Sequence, residues 1–443
     1  MNNLKKVEFG EIAELRKEKF NPETSNDSKP CLELEHFEQG MGEINGFVSS
    51  SEQKSIKNVF YKGDILFGKL RPYLRKYWLA VFDGVCSSEV WVLKPKTKEI
   101  SADYLFNLVQ TNGFIQATNV SSGSKMPRAD WDYIINYPLS IVKSLPEQHA
   151  IAHVLGLMDA AINKNNQLIA QKELQKKWLM QNLLTGKKRL NQDLQNGKKH
   201  LNQDLQNDRM DRIGSKDNSV HSVNPVNSDS DNWKEVRLGD IFERVTRKNE
   251  ECNLNVVTIS AQRGFIRQTD FFNKTIASEI TDNYFLVERG EFCYNKSYSN
   301  GYPWGATKRL NDFDKAVVTT LYICFGLKNH KKNSGDFFEQ FFEANLLDKG
   351  LTKIAHEGGR AHGLLNVTPS DFFSLKVLIP NMAEQTAIAK VLQAADKELQ
   401  LLKSKTEKLR EQKKGMMQVL LTGKKRLKVS ESGFTERKNL QNT

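Results

Sequence analysis

The feature that most constrains this chain of 443 residues is an internal duplication of two motifs. Pro-Glu-Gln-x-x-Ile-Ala at 146–152 is repeated as Ala-Glu-Gln-x-x-Ile-Ala at 383–389, a shift of 237 residues. Leu-Thr-Gly-Lys-Lys-Arg-Leu at 184–190 is repeated at 421–427 with the same shift. Because loops tolerate insertions better than the elements they connect, this constant register predicts one continuous helix in each copy.

Apolar residues in both predicted helices recur at heptad spacing, which is typical of a helix-pairing seam. The positions that we expect to form this seam are Ile151, Leu155, Met158, Ile162, Leu183, Ile388, Leu392, Leu399, Leu402, Leu409 and Leu420. Asn165, Lys172 and Lys176 interrupt the first series, and a polar residue on a seam often fixes register and partner choice. The alternative, a solvated stretch of an ordinary helix, remains open.

Both predicted helices carry start and stop signals. Pro146 and Pro380 suit a helix start, and an acidic residue follows each in the first turn. Gly186 and Gly423 suit a left-handed cap, and the cations after each glycine suit a helix C-terminus. Each helix would be about 55–60 Å long at about 1.5 Å per residue. Two antiparallel copies would form a rigid spacer.

The segments that precede the helices resemble each other weakly, so each copy is expected to begin with a domain. The matching predicted elements are helices at 101–111 and 336–347, and closing strands at 137–142 and 375–379. We therefore predict two tandem mixed α/β (α+β) domains separated by two long antiparallel coiled-coil helices in a pseudo-two-fold repeat. The predicted segments are a first domain at 1–145, a helix at 146–186, a linker at 187–232, a second domain at 233–379, a helix at 380–427 and a polar tail at 428–443.

The linker contains a second, smaller repeat. Gly-Lys-Lys-Arg-Leu-Asn-Gln-Asp-Leu-Gln-Asn at 186–196 is followed by a near copy that ends at Asn207. The stretch at 214–231 is rich in Ser, Asn and Asp, which predicts a flexible connector. The eleven-residue unit either extends the first helix or is a duplication without a role, and the sequence leaves both readings open.

Composition narrows the class of partner. The net charge of +12 points first to nucleic acid and then to anionic membrane, although ordinary solubility also explains a basic chain. No stretch approaches the roughly 20 apolar residues of a membrane span, and the N-terminus lacks the apolar core of a signal peptide. The five cysteines are scattered, which fits reduced thiols. We expect a soluble cytoplasmic protein.

The two duplicated motifs, each placed after a domain, resemble those of the specificity subunits of type I restriction-modification systems. The resemblance covers nearly the whole chain. It extends to glycine-rich turns at 121–128 and 357–363 and to matching Gly-acidic runs that begin at Gly63 and Gly290. The linker at 187–232 is longer than this resemblance leads us to expect.

The resemblance implies that each target-recognition domain binds one half of a bipartite, double-stranded DNA target. The seam residues would set the gap between the halves and dock two methyltransferase subunits, and restriction subunits would join to cut DNA. No catalytic residue, metal or cofactor is expected in this chain, because the methyl donor, ATP and Mg would bind to the partner subunits. Two other hypotheses remain: a coiled-coil assembly protein whose globular domains bind proteins, and a self-contained nuclease or methyltransferase.

Motif searches favour a binding protein over an enzyme. The chain has no Asn-Pro-Pro-aromatic site of a methyltransferase and no phosphate-binding loop. Gly40 and Gly42 do not continue into a dinucleotide-binding fingerprint, so we interpret them as a turn. His356 and His362 have no acidic or cysteine partner at metal-ligand spacing.

DNA binding needs cations for phosphates and planar or polar side chains for base edges. The candidate DNA-contacting residues, grouped in basic and aromatic clusters, are Lys69, Arg71, Tyr73, Arg75, Lys76, Ser124, Lys125, Arg128, Trp131, Asn295, Lys296, Tyr298, Tyr302, Trp304, Lys308, Arg360, His362 and Asn366. For any single residue the competing interpretation is structural: the aromatic ring packs under a strand or the cation is solvated. Three interpretations remain open for the Lys-Lys-Arg runs at 187–189 and 424–426: contact with DNA, capping of the helices, or a surface that faces a partner subunit.

Overall fold

The structure, a computed structural model, describes residues 4–120, 126–190, 233–268, 281–357 and 365–427. The chain divides into two compact units, the first of which is discontinuous in sequence. The first unit comprises residues 1–170 and 401–443, and the second comprises residues 171–400. Each unit therefore contains one globular domain, the start of one long helix and the end of the other.

The globular domain of the first unit mixes strands and short helices. Its strands are β1 (Leu4–Glu8), β2 (Ala13–Leu15), β3 (Lys19–Phe20), β4 (Pro30–Leu32), β5 (Val48–Ser49), β6 (Lys57–Phe60), β7 (Ile65–Gly68), β8 (Tyr77–Leu79), β9 (Gly84–Cys86), β10 (Val90–Pro95) and β11 (Pro138–Val142). Its helices are α1 (Phe9–Ile12), α2 (Ala102–Val109), α3 (Asn112–Thr118) and α4 (Trp131–Ile134), with 3-10 turns at Leu34–His36, Ser50–Glu52 and Pro72–Leu74.

Three sheets organise these strands. β1 pairs with β11, a four-stranded sheet has the order β2-β10-β7-β8, and a five-stranded sheet has the order β3-β6-β9-β4-β5. Strand β10 begins with Val-Trp-Val-Leu, residue types that favour strands, and these four side chains are all buried. A continuous apolar run of this kind is expected of a strand covered on both faces.

The second unit has a domain built on the same plan. Its strands are β12 (Lys234–Arg237), β13 (Phe242–Arg244), β14 (Val257–Ser260), β15 (Gly264–Arg267), β16 (Phe285–Glu288), β17 (Phe292–Asn295), β18 (Ala306–Arg309), β19 (Lys315–Val318), β20 (Ile323–Leu327), β21 (His356–Glu357), β22 (Leu365–Asn366) and β23 (Lys376–Ile379). Its short helices are α6 (Leu238–Ile241), α7 (Gly335–Glu343), α8 (Asp348–Ile354) and α9 (Pro369–Ser374).

The sheets of the second domain repeat part of the first. β12 pairs with β23, and the four-stranded sheet has the order β13-β20-β17-β18, which matches β2-β10-β7-β8 position by position. The remaining strands form the two-stranded pairs β14–β15, β16–β19 and β21–β22. The helices predicted at 101–111 and 336–347 are present as α2 and α7, and both are capped by a serine, Ser101 and Ser334.

The two long helices are α5 (Leu145–Leu183) and α10 (Met382–Leu420). Each has 39 residues, and their ends differ by the same 237 positions, so each copy contains one continuous helix as predicted. The helices end at Leu183 and Leu420, before the predicted ends at 186 and 427, because the left-handed glycine that follows closes each last turn. Each ends three residues before a left-handed glycine: φ is 72° at Gly186 and 69° at Gly423. The chain thus has the tandem mixed α/β domains and paired long helices that the sequence predicts.

Each domain core is completed by side chains of both long helices. The helix residues in the core of the first unit are Ile151, Leu155 and Leu420, with Leu421 just after α10. Those in the core of the second unit are Ile388, Ala389, Leu392, Leu179 and Leu183, with Leu184 and Leu190 just after α5. The end of each long helix therefore packs on the domain that precedes the other long helix. The eleven-residue repeat beyond residue 190 and the connector at 214–231 lie outside the described residues.

Candidate nucleic-acid interface and helix contacts

The turn between β7 and β8 carries most of the basic residues predicted in the first domain. Arg71 and Arg75 have φ of 52° and 53°, a left-handed conformation that is uncommon for residues other than glycine. Backbone hydrogen bonds fasten this turn to the segment that contains Arg128: Arg71 N donates to Pro127 O at 2.8 Å, and Ala129 N donates to Lys69 O at 2.8 Å. The fold thus brings two separate sequence clusters together.

Side chains of this turn face in two directions. Arg71 and Tyr73 are exposed, Tyr73 by 51%, and neither side chain is engaged by another in the described part of the chain. Arg75 and Lys76 are held by the domain instead: Arg75 Nη2 donates to Asn112 Oδ1 at 2.6 Å, and Lys76 Nζ donates to Leu34 O at 2.5 Å. Lys69, Arg71, Tyr73 and Arg128 therefore form a basic, partly aromatic patch, which we call the first basic turn.

Other predicted residues of the first domain take different positions. Arg128 is half-exposed and pairs with Glu89, with 3.1 Å between Nε and Oε2. Trp131 packs edge-on against Phe9 and Trp91, with ring centroids 6.2 and 5.3 Å apart, so its ring contributes to the core. Ser124 and Lys125 lie outside the described residues, and their assignment stays a prediction.

In the second domain, the loop after β17 is the exposed counterpart of the first basic turn. Tyr298 is 65% exposed. Asn295 shapes the loop, because its Oδ1 accepts from Ser297 N at 3.0 Å and its Nδ2 donates to Ile259 O at 3.1 Å. Lys296 O accepts from Leu365 N at 3.0 Å, which places the exposed Asn366 beside this loop. Partial burial lowers the pKa of Lys296.

Three more predicted residues of the second domain are engaged internally. Tyr302 donates to Glu343 Oε1 at 2.7 Å, and Lys308 pairs with the same carboxylate while its ammonium lies 4.9 Å from the Tyr302 ring centroid. Trp304 is half-buried against the core, and its carbonyl accepts from Tyr294. Arg360 and His362 lie outside the described residues. Lys296, Tyr298 and Asn366 remain as the surface that we call the second basic loop.

The duplicated motifs contact each other across the copies. Arg426, at the end of the second copy, forms a two-point ion pair with Glu147, at the start of the first, with 2.6 Å between Nε and Oε1. Arg189 and Glu384 form the reciprocal pair, with distances of 2.7 and 2.8 Å. Both carboxylates are buried. Within each unit, the start of one long helix is therefore paired with the end of the other, so the two helix segments run antiparallel.

A second matched pair lies further along the helices. Asp159 pairs with Lys413, with 2.6 Å between Oδ1 and Nζ. The equivalent residues at the shift of 237, Asp396 for Asp159 and Lys176 for Lys413, also pair with each other. Burial raises the pKa of Asp159, and Lys413 opposes that rise. Lys176 and Lys172, which the sequence pattern presents as interruptions of the seam, therefore serve as ion-pair partners on it, Lys172 with Glu398.

The glutamine of each repeated motif fastens its helix to its own domain. Gln148 Oε1 accepts from Ser101 N at 2.9 Å, and Gln148 Nε2 donates to Val142 O at 2.8 Å. In the second copy, Gln385 Oε1 accepts from Ser334 N at 2.8 Å, and Gln385 Nε2 donates to Pro380 O at 2.9 Å. The sequence shows that Glu and Gln are duplicated, but it assigns no role to them.

The predicted seam residues are buried or half-buried. Ile151, Leu155, Ile388 and Leu392 are 0% exposed and pack into the domain cores, so they do more than pair the helices. Met158, Leu402 and Leu409 are half-buried, whereas Ile162, Leu183, Leu399 and Leu420 are buried. Their docking of other subunits stays a prediction. Within the described ranges, no group of three or more metal-ligating side chains lies together, and no helix has the length and apolarity to cross a membrane.

Comparison with known proteins gives consistent matches. The family model described as type I restriction modification DNA specificity domain matches residues 1–174 and 230–411. The EcoDI specificity subunit of a type I restriction enzyme from Escherichia coli is 31% identical over 153 residues, 34% of this chain and 33% of that protein's length. The putative MjaX specificity subunit from Methanocaldococcus jannaschii is 24% identical over 473 aligned residues, 96% of this chain and 97% of that protein.

Solved structures share the fold. The crystal structure of a type I restriction-modification system S subunit from M. genitalium superimposes with a TM-score of 0.53 at 13% identity, over 95% of this chain and 96% of the other. At that identity the likeness concerns the arrangement of elements alone.

Proposed function

The chain belongs to the type I restriction-modification DNA specificity family, and from this premise we propose that its two domains each recognise one half of a bipartite DNA target. The observation that supports this most directly is the contrast between matched and unmatched parts. Two helix ion pairs and the glutamine contact recur in both copies, whereas the first basic turn and the second basic loop differ in sequence and in backbone path. Different surfaces on a repeated frame suit two different half-sites.

The partners follow from the same proposal. The half-buried seam positions and the outer faces of α5 and α10 would dock two methyltransferase subunits, and restriction subunits would join that assembly. The chain itself would be non-catalytic and would bind no cofactor, so the methyl donor, ATP and Mg would act in the partner subunits. The basic excess of the chain supports a polyanionic target.

Arg71 provides the sharpest test of the first basic turn. With the full chain bound to its methyltransferase partner, Arg71→Ala should weaken DNA binding at least about fivefold and reduce the slope of log affinity against log salt by about 1 if the guanidinium contacts a phosphate. Lys62→Ala is the matched control, because this exposed lysine precedes β7 and lies at the opposite end of that strand. Equal losses for both variants would contradict the assignment.

Tyr73 and Tyr298 test the division of labour between domains. Each is exposed on one of the two surfaces. Tyr73→Ala should relax base preference in one half of the methylated motif, and Tyr298→Ala should relax it in the other, as read by sequencing of methylated sites. Relaxation of the same half by both variants would contradict the proposal.

The small repeat bears on the gap between half-sites. Residues 186–207 are mostly outside the described structure, so its role stays a prediction. If the unit continues the first helix, deletion of residues 197–207 should change the preferred gap. An unchanged methylation motif would leave the repeat as a linker without a spacing role.

A further inference from the structure

The first unit contains a cavity that the DNA-binding proposal does not use. Its volume is about 780 Å³, and its walls come from the turn at Gly40, from β8, from the loop between α2 and α3, from β11, and from the first-unit parts of α5 and α10. This volume lies within the range of about 300–1,000 Å³ that is typical of small-molecule sites. The cavity therefore has room for an organic ligand rather than for a single ion.

The charge of the lining is strongly biased. Four cations line the cavity: Arg75, Arg410, Lys413 and Lys414. Among the described lining residues the one carboxylate is Asp159, and it pairs with Lys413 at 2.6 Å. Arg410 pairs with Glu407, which lies outside the lining, so the positive charges of Arg75 and Lys414 remain without a described carboxylate partner. A concave surface with low-dielectric walls concentrates such a field and attracts anions.

Arg75 is held in place before any ligand binds. Its left-handed backbone, with φ of 53°, turns the side chain towards the cavity, where Nη2 donates to Asn112 Oδ1 and Nη1 donates to Gln110 O at 3.3 Å. Lys413 Nζ donates to Gln110 Oε1 at 2.8 Å, so both cations converge on one buried residue. Sparsely populated backbone conformations cluster at binding sites, and a fixed cation loses little entropy when it binds.

The remaining wall is apolar and aromatic. It includes Tyr77, Phe114 and Tyr137 from the domain and Ile162, Met417 and Leu421 from the helical parts. An inorganic anion would leave this wall in contact with water, whereas a flat organic body would cover it. We propose that this cavity binds a small organic anion that has a flat apolar body and one carboxylate, sulfonate or phosphate group.

Naphthalene-2-carboxylate is a suitable probe for this class of ligand. Calorimetric titration of the full chain should show one saturable site. Naphthalene-2-carboxamide, which lacks the charge, should bind at least about fivefold more weakly, as expected for loss of one charge pair near a protein surface. Inorganic phosphate, which lacks the apolar body, should displace the probe only at far higher concentration. Equal affinity for the carboxamide, or equally effective displacement by phosphate, would overturn the proposal.

Two variants locate the binding to this cavity. Lys414→Glu reverses an exposed charge on its rim that no described side chain engages, and Lys177→Glu is the control at the equivalent position of α5, also exposed. Lys414→Glu should weaken binding of the naphthalene carboxylate about five- to thirtyfold, and Lys177→Glu should leave it unchanged. Arg75→Met should abolish it, and Arg75→Lys should restore part of it.

The phosphates of a DNA backbone are the other possible source of anionic groups for this cavity. Competition between a duplex and the naphthalene carboxylate distinguishes the two sources. A short duplex added at saturating concentration should leave the titration with the naphthalene carboxylate unchanged, because a duplex backbone has no flat apolar body to cover the wall. Displacement of the probe by duplex, or equal weakening by Lys414→Glu and Lys177→Glu, would reject the cavity as a small-anion site. Both results are independent of whether the first basic turn binds DNA.

Discussion

The two units of this chain share an inner frame and differ in how regularly their outer strands pair. In each, a strand pair (β1–β11 or β12–β23), a four-stranded sheet of matching order and two helix segments pack into one core. Beyond that frame, the first domain has the five-stranded sheet β3-β6-β9-β4-β5, which includes the parallel pair β4–β9. In the second domain the pairs β16–β19 and β14–β15 follow the corresponding order, but they are linked by an isolated parallel bridge, Val256–Val317. The part that is regular in both domains is the part that contacts the helices.

The reason for this difference lies in the contacts each part must make. The inner frame must accept the end of the other copy's helix, a carboxylate–arginine pair and a glutamine that bonds the backbone of its own domain, so its geometry is tightly determined. The outer strands make none of these contacts in the described residues. They are therefore free to differ between the domains, which suits the proposal that each domain recognises a different half-site.

Removal of one arginine from each matched pair should show how far the two frames are equivalent. Glu384 is fully buried, and Arg189 is 23% exposed. Arg189→Ala leaves a buried carboxylate without its partner and should lower the free energy of unfolding by about 3–5 kcal/mol. Arg426 is 41% exposed, so water screens its pair, and Arg426→Ala should cost about 1–2 kcal/mol. Denaturant unfolding measures both, and a larger loss for Arg426→Ala would contradict this ranking.

The leucines at the ends of the long helices sharpen the comparison. Leu183 and Leu420 occupy equivalent positions and are 1% and 4% exposed. Leu183→Ala and Leu420→Ala should each destabilise the chain by about 2–4 kcal/mol, because each leaves a cavity in a domain core. Leu174→Ala is the control, since this leucine lies on the same helix but is 69% exposed. A comparable loss for that control would indicate a general helix effect.

The two glycine caps offer a finer test. Alanine at either position places a Cβ on a left-handed backbone. At Gly423 this Cβ would also lie 2.5 Å from Leu4 Cδ2, whereas at Gly186 the nearest atoms, in Trp233, are 3.2 Å away. Gly423→Ala should therefore cost about 1–3 kcal/mol and Gly186→Ala about 1 kcal/mol, measured as changes in thermal unfolding. A larger loss of stability for Gly186→Ala than for Gly423→Ala would contradict the packing described for the two caps.

The pH dependence of stability should reveal the buried Asp159. Burial raises its pKa above the ordinary value of 3.8. The folded state then holds the proton more tightly than the unfolded chain, so this contribution to stability is present at low pH and is lost as pH rises through the folded pKa. Relative to Asp159→Asn, the natural chain should lose stability across that acidic window. An identical pH profile for both proteins would refute the assignment.

The sequence predicts the architecture well because both copies of the repeat carry the same helix signals. A constant shift over about forty residues identifies both long helices, and glycine and proline mark their ends. The signal for the crossed ion pairs is also present. Glu147 and Arg189 of one copy lie about 60 Å apart along a helix with a rise of about 1.5 Å per residue, so neither could pair within its own copy. An antiparallel second copy supplies the partners, Arg426 for Glu147 and Glu384 for Arg189.

The candidate DNA surface is harder to predict. Arg71 and Arg75 are four residues apart in one basic run, yet the first is exposed and the second points into a cavity. Lys308 resembles a phosphate-binding lysine in sequence, but Glu343, 35 residues later, engages it. The sequence specifies charge, whereas the side-chain direction depends on a left-handed turn and on contacts that are distant along the chain.

Hydrogen exchange on the two leucine variants tests most directly whether each domain is completed by the end of the other copy's helix. Leu183 precedes the second domain in sequence but packs into its core, together with Phe292 and Phe325. Leu183→Ala should accelerate exchange in β17 and β20 and leave β7 and β10 unchanged, whereas Leu420→Ala should do the opposite. Faster exchange in β7 and β10 on substitution of Leu183 would contradict the crossed arrangement.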